Sequence, residues 1–307
     1  MSILKEPILK LSKSDRLKKF VSHNRLGRSA ARRFVAGETL ENALSAARDM
    51  NKLGIHVSLD YLGENVFSEA ESVASAKQYI NLLEMIAHEK LDANISVKLT
   101  ALGLDVDRRL CLDNITAVLT RARDLGDIFV RIDMESSDYT ERTLDIFKEL
   151  WQNGFRNTGT VLQSYLYRTE DDVHNMIERK ARIRLCKGAY LETPAVAYAD
   201  KSDTDSSYVK CMRLLLDKGN YPGFATHDEK IINQILDYVK AQNIPAERFE
   251  FQMLYGIRRD LQKKLAGLGY NVRAYVPYGS QWYPYLMRRM AERPANLLFM
   301  LSNAWRG

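Results

Sequence analysis

From residue 56 onward, eight short β-rich runs alternate with helical patterns, and this alternation constrains the chain more than any other feature. The runs are HVSLDYLG (56–63), ANISVKLTAL (93–102), IFVRIDME (128–135), NTGTVLQSYL (157–166), ARIRLCKGAY (181–190), GFATHD (223–228), RFEFQMLYG (248–256) and YNVRAYVPYG (270–279). Between them, AESVASAKQYINLLEMIAHEK, DNITAVLTRARDL, YTERTLDIFKELW and DEKIINQILDYVKAQ repeat apolar residues at three- and four-residue spacing, the period of an amphipathic helix. Gly126 and Gly154 follow two of these helices, and Gly219 and Gly269 precede the sixth and eighth runs, as stop signals do. Strands and helices in alternation predict parallel strands with right-handed crossovers. Eight strands close a (β/α)8 barrel. An open doubly wound sheet is the alternative, but it carries a glycine-rich phosphate turn after its first strand. Here DYLGEN stands in that position, and no GxGxxG or Walker pattern occurs in the chain.

The expected fold is therefore α/β, a TIM-type (β/α)8 barrel over residues 51–307. A helical arm over 1–50 precedes it, with Thr39 as the N-cap of ENALSAARDMNKL. A hydrophobic content of 46% supports one large core. No apolar run approaches the ~20 residues of a membrane span. Lysines interrupt every short apolar run of the N-terminus, so no signal-peptide core can be drawn. Cys111, Cys186 and Cys211 lack CxxC spacing and predict reduced thiols in a cytoplasmic protein. No HExxH pair points to a metal. Residues 1–50 hold eleven Lys and Arg against five Asp and Glu, an excess equal to the whole chain's net charge of +6. A nucleic-acid-binding domain would carry such charge in a folded patch with stacking aromatics. A basic arm poor in aromatics reads instead as a solvated helix, or as an arm that approaches an anionic membrane surface from the cytoplasmic side.

Barrel chemistry sits at the C-terminal strand ends. There the runs offer Lys98, Asp133, Glu135, Gln163, Arg184, Lys187, Thr226, His227, Gln252, Tyr275 and Tyr278. Each alone has a bland reading: a rim lysine, a hydrogen-bonded structural histidine, an Asp133 that neutralises Arg131 or Arg184. As a ring they demand partners or ligands, because buried charge is costly. A second polar set lies in YPYLMRRMAERPAN (283–296). At helical spacing Tyr285, Arg288, Arg289 and Glu292 share one face. Two plus charges and one minus leave one guanidinium suited to a carboxylate. A surface Arg-Arg pair beside a solvated Glu is the alternative.

SVKLTALG (96–103), RIDMES (131–136), VLQSYL (161–166), RLCKGAYLE (184–192), FATHD (224–228), FEFQMLYG (249–256), RAYVPYG (273–279) and the Tyr285–Arg288–Arg289–Glu292 set occur in one order. Over roughly residues 50–300 they resemble the proline dehydrogenase family, in its monofunctional bacterial form. The resemblance implies FAD, L-proline oxidation by hydride transfer to the flavin, and a quinone acceptor. It also implies that the last helix, about 281–301, lies over the barrel mouth. Carried over, Arg288, Arg289 and Lys98 clamp the proline carboxylate, and Glu292 holds an arginine. Tyr275, Tyr285 and Leu254 wall the ring, Tyr190 lies near it, and Tyr278 is expected to share the part of Tyr275. Asp133 and Arg184 are the catalytic candidates. Met134, Gln163, Arg184, Lys187, Gly188, Ala189, Thr226, His227 and Gln252 are the expected flavin contacts. Two rival readings stay open at this point: a lysine-dependent aldolase using Lys98 or Lys187, and a nucleic-acid-binding module using the arm.

Overall fold

The computed structural model describes residues 33–63 and 66–292. Eight strands form a closed barrel in chain order, every neighbour parallel, with β8 pairing β1. The order is α1 (Leu40–Asn51), β1 (His56–Tyr61), α2 (Glu69–His88), β2 (Ala93–Val97), α3 (Arg108–Asp124), β3 (Val130–Ile132), α4 (Ser137–Gln152) and β4 (Thr158–Gln163). There follow α5 (Thr169–Glu178), β5 (Arg182–Cys186), α6 (Lys201–Lys218), β6 (Gly223–Ala225), α7 (Glu229–Ala241), β7 (Glu250–Leu254), α8 (Arg259–Gly267), β8 (Asn271–Tyr278) and α9 (Trp282–Glu292). All eight expected strands are present. β3 and β6 are only three residues long, shorter than the runs that announced them.

Helix boundaries follow the capping chemistry. Thr39 caps α1, its hydroxyl accepting from the Asn42 amide at 3.3 Å while the Asn42 side chain accepts from the Thr39 amide. Asp107 caps α3 through the Leu110 amide at 2.8 Å. Gly126 and Gly154 stand just past α3 and α4 at φ +98° and +88°, where a Cβ would be strained.

Alternation along the strands sends one set of side chains out and the other in. Val57, Leu59, Ile95, Val97, Val130, Ile132, Ile183, Leu185, Phe251, Val272 and Ala274 belong to the large apolar cluster shared with the helices. The inward set is polar, and two glycines make room for it. A Cβ on Gly159 would lie 2.1 Å from the Arg182 carbonyl and 2.7 Å from Arg131 Nη1. A Cβ on Gly223 would lie 2.3 Å from Gln252 Nε2. The missing side chains let long polar groups cross the barrel interior.

A second, smaller apolar cluster joins α9 to the segment before α1. Trp282, Tyr283, Tyr285, Leu286 and Met287 pack with Phe34, Val35 and Leu62. Trp282 Nε1 donates to Glu38 Oε1 at 3.0 Å. The Ala36 amide donates to the Pro277 carbonyl, and the Gly279 amide to the Gly37 carbonyl, each at 2.9 Å. These contacts tie the start of α9 to the end of β8 and turn the helix over the C-terminal end of the barrel.

Candidate active site

A cavity of about 430 Å³ opens at the C-terminal ends of the strands, within the size range of small-molecule sites. Of the expected site residues, Lys98, Asp133, Met134, Gln163, Arg184, Lys187, Gly188, Ala189, Tyr190, Thr226, His227, Gln252, Leu254, Tyr275, Tyr285 and Arg289 all line it. Tyr278 is not among the lining residues. It packs against Tyr61 with ring centroids 5.4 Å apart. Arg288 and Glu292 belong to α9, but their side chains lie outside the described residues.

Asp133 is the hub. Just past β3, its amide donates to the Val97 carbonyl at 2.9 Å, which holds it in line with the sheet. Arg184 Nη1 donates to Asp133 Oδ1 at 2.7 Å, and Tyr275 Oη donates to Oδ2 at 2.7 Å. Lys98 Nζ stands 3.8 Å from Oδ2. Arg184 also reaches Ser96 Oγ at 3.2 Å and Gln252 Oε1, and its guanidinium lies over the Tyr275 ring at 5.2 Å. Asp133, Arg184, Lys98, Ser96 and Gln252 are nearly enclosed and Tyr275 is half-buried, so their mutual hydrogen bonds replace the water that burial removes. Burial, reinforced by the Asp133 carboxylate, pushes the Tyr275 phenol far above its ordinary range, so it stays a donor.

Lys98 is also held by Asp60, whose two carboxylate oxygens lie 3.0 and 3.1 Å from Nζ. The sequence reading missed Asp60. It stands in DYLGEN, which was searched for a phosphate turn, and β1 buries it to 1% exposure. Lys187 is paired as well, 2.6 Å from Asp205 and 2.9 Å from Asp228. Burial alone would push the Asp228 carboxyl up, but Lys187 and Lys201 outweigh it and hold it at about 2. An amine nucleophile must be neutral to attack a carbonyl. Both lysines are already engaged in ion pairs, Lys98 with Asp60 and Lys187 with Asp205 and Asp228, and neither stands open to attack a carbonyl, which argues against the aldolase reading.

The far side of the cavity is built from loops. Gly188, at φ +112°, packs its backbone on the Tyr165 ring, where a Cβ would lie 2.4 Å from ring carbon. Glu192 fixes the same loop, accepting from the Ser137 amide at 2.8 Å and from Tyr165 Oη at 3.2 Å. His227 Nε2 accepts from the Leu254 amide at 2.9 Å, which leaves the ring proton on Nδ1. Gln163 donates through Nε2 to the Glu135 carbonyl at 3.1 Å. Its buried Oε1 has no hydrogen-bond partner among the described residues. A buried, unused acceptor beside Lys187, Thr226 and the 188–189 backbone fits a flat ring that carries both N–H donors and carbonyl acceptors. Among the described residues, no cluster of three His, Cys, Asp or Glu could hold a metal ion.

Comparison with known proteins gives a consistent result. A family profile described as proline dehydrogenase matches residues 43–301. Proline dehydrogenase 1 of Bacillus subtilis subsp. natto is 44% identical over 302 residues, covering 98% of each chain. Proline dehydrogenase of Deinococcus radiodurans is 42% identical over 281 residues, covering 90% of each. Among solved structures, proline utilization A (PutA) from Bdellovibrio bacteriovorus, inactivated by N-propargylglycine, superposes with a TM-score of 0.81 at 29% identity. That match covers 86% of the present chain and 32% of the other.

Proposed function

Since the chain belongs to the proline dehydrogenase family and oxidises proline in proline catabolism, we propose that it moves a hydride from ring carbon C5 of L-proline to bound FAD. The product is Δ1-pyrroline-5-carboxylate, and the electrons leave to a quinone. The observation that carries this reading is the convergence of Asp133, Arg184, Lys98 and Tyr275 on one cavity that α9 covers with Tyr285 and Arg289.

Bound flavin supplies the hydride acceptor. Met134, Gln163, Lys187, Gly188, Ala189, Thr226, His227 and Gln252 would hold it in this reading, together with Arg184. Arg289 and Lys98 orient the substrate carboxylate, with Arg288 as a second guanidinium and Glu292 as its support. Tyr275, Tyr285, Leu254 and Tyr190 wall the ring. Such a pocket anchors the anion firmly and leaves an apolar surface around the carbon that reacts, so the reacting atoms meet in one orientation. Asp133 does no proton transfer in this scheme. It keeps Arg184 and Tyr275 in one geometry, and a single carboxylate serves these two donors with the Lys98 ammonium 3.8 Å away.

In the same reading residues 1–50 are an N-terminal arm that precedes the catalytic barrel over 51–307, and the described part of that arm packs on the barrel and on α9. The arm's basic segment approaches an anionic membrane surface from the cytoplasmic side, the membrane being where a lipid-soluble quinone resides. Residues 1–32 lie outside the described residues, and no described helix is long and apolar enough to cross a membrane.

The test is anaerobic addition of proline to purified protein with its visible spectrum recorded. Flavin colour that bleaches with proline and returns with a soluble quinone is the expected outcome. Colourless protein that gains no activity with added FAD would reject the cofactor. Tyr275→Ser removes the ring that crowds the substrate and is expected to shift the kcat/KM ratio toward hydroxyproline; an unmoved ratio would mean that the wall is misassigned.

A further inference from the structure

Lys98 poses a physical problem that the expected carboxylate clamp does not solve. Its side chain is only 9% exposed, and burial disfavours an ammonium. Asp133, 3.8 Å away, already accepts from Arg184 and Tyr275. Arg289, on the same cavity, adds a further positive charge. A lysine among these groups would be driven toward its neutral form, which cannot anchor an anion.

Asp60 answers this. It enters from the end of β1, is 1% exposed, and spans Lys98 Nζ with both oxygens at 3.0 and 3.1 Å. We propose that Asp60 is the counter-ion that keeps Lys98 charged and aimed into the cavity, a positioning residue that sets how substrate affinity depends on pH. The inference rests on the reading of Lys98 as a carboxylate ligand. With Asp60 present, Asp60, Lys98, Asp133 and Arg184 carry two charges of each sign. The surplus that attracts an anion is then left to α9, and Lys98 adds a directed hydrogen bond rather than raw charge. Among the described residues, the groups that face this pair include Asp133 on the β3 side, Arg184 of β5, Tyr275 and Tyr278 of β8, Tyr79 of α2 and Arg289 of α9. The three phenols are all pushed up by burial, so none loses its proton near neutrality; Cys186 and His227 also line the cavity, so a change between pH 7 and 9 is assigned to Lys98 only where Lys98→Met abolishes it.

The experiment is calorimetric binding of a saturated five-membered-ring carboxylate that lacks the ring nitrogen, so that the ligand does not titrate in the window. Wild-type affinity is expected to stay flat from pH 7 to 9. In Asp60→Asn it is expected to fall roughly 10-fold across the same interval, a tenfold change in the binding constant. Asp60→Ser, a second uncharged variant, is expected to give the same profile, and Asp60→Glu to restore the flat one. Adding Asp60→Asn to Lys98→Met is expected to change nothing further, because the two residues act through one group. A flat Asp60→Asn profile beside a weakened Lys98→Met would overturn the role of Asp60 alone. Undiminished binding by Lys98→Met would overturn the carboxylate cradle and this inference with it.

Discussion

The barrel encloses two charged layers, and they behave differently although they use the same residue types. The floor, at the N-terminal ends of the strands, holds Arg131, Arg182, Arg273 and Glu250. Glu250 accepts from Arg273 Nε at 2.9 and 3.0 Å, from Tyr221 at 3.3 Å and from Gln252. Arg131 donates to the Thr160 and Arg182 carbonyls at 2.9 and 2.5 Å. Arg182 lies over the Phe129 and Tyr221 rings at 4.3 and 4.6 Å. None of these four lines the cavity. The mouth holds Asp60, Lys98, Asp133 and Arg184, and all four do. Gln252 links the layers, giving Oε1 to Arg184 and Nε2 to Glu250. The floor is closed to the cavity and bonds mainly within the protein, although Arg131 Nε and Arg182 Nε have no hydrogen-bond partner among the described residues, and it serves stability. An open network presents the same groups to a ligand. Burial and charge alone therefore do not mark a site; facing a cavity does.

The sharpest way to break this contrast is Glu250→Gln. Burial alone would raise the Glu250 carboxyl, yet Arg273 outweighs it and holds it at about 2. Removing that charge leaves three guanidiniums without a carboxylate in their layer, and breaking a buried pair costs about 3–5 kcal/mol. The urea midpoint should drop accordingly, while kcat per flavin in the folded fraction stays close to wild type. A normal midpoint with lost activity would make the floor part of the site. The mouth should give the reverse. Asp133→Asn keeps an acceptor for Arg184 but removes the charge that Arg184 and Tyr275 share and that faces Lys98, so kcat/KM should fall roughly 100-fold, about 2.7 kcal/mol. Its urea midpoint should move by less than half as much as that of Glu250→Gln, because the cavity admits water to the vacated charge. Equal shifts in the two variants would erase the distinction.

Arg289→Lys probes the third element, the helix that closes the mouth. The guanidinium lies over the Tyr285 ring at 5.4 Å, a contact that lysine's flexible ammonium reproduces poorly. The KM for proline should rise roughly 10-fold, about 1.4 kcal/mol, with kcat little changed. An unchanged KM would remove Arg289 from the carboxylate clamp and leave α9 as a cover only.

These two layers also show where the sequence was readable. The eight strands were, because period-two runs between period-3.6 runs have few alternative folds. The mouth was readable in part: of the sixteen expected residues that line one cavity, nine came from strand-end position, Tyr285 and Arg289 from helical spacing, and Met134, Gly188, Ala189, Tyr190 and Leu254 from the family resemblance. The floor was not. Arg131, Arg182, Glu250 and Arg273 sit inside strands, where neighbouring-strand register decides their partners, and register is a long-range property. Asp133 could have neutralised either Arg131 or Arg184; Arg184 forms the pair, at 2.7 Å, and Arg131 bonds to carbonyls across the gap at Gly159. Asp60 was missed for the same reason. Its partner is Lys98, 38 residues on, and only the pairing of β1 with β2 brings them together.

The smallest effect lies at the rim of the floor, and its sign separates it from the mouth. His56 Nδ1 meets Asp92 Oδ2 at 2.5 Å, and this contact raises the histidine while lowering the aspartate from their ordinary values. A raised histidine stabilises the fold fully below its unfolded value near 6.5, and that contribution is lost as pH rises through the folded value. The lowered aspartate contributes above its ordinary value of 3.8 and is lost as pH falls through the folded value. The pair should therefore help most between about pH 4 and 6.5. His56→Gln should lower the melting temperature by a few degrees at pH 5.5 and by less at pH 8.5. The Asp92 side chain is 60% exposed, so added salt should shrink the difference at pH 5.5. Proline kinetics should not follow it, since neither residue lines the cavity. A larger loss at pH 8.5 than at pH 5.5 would mean that His56 acts as a neutral hydrogen-bonding group, its Nε2 on Asn271 at 3.5 Å outweighing the ion pair, and the floor would then be held at its edge by neutral hydrogen bonds alone.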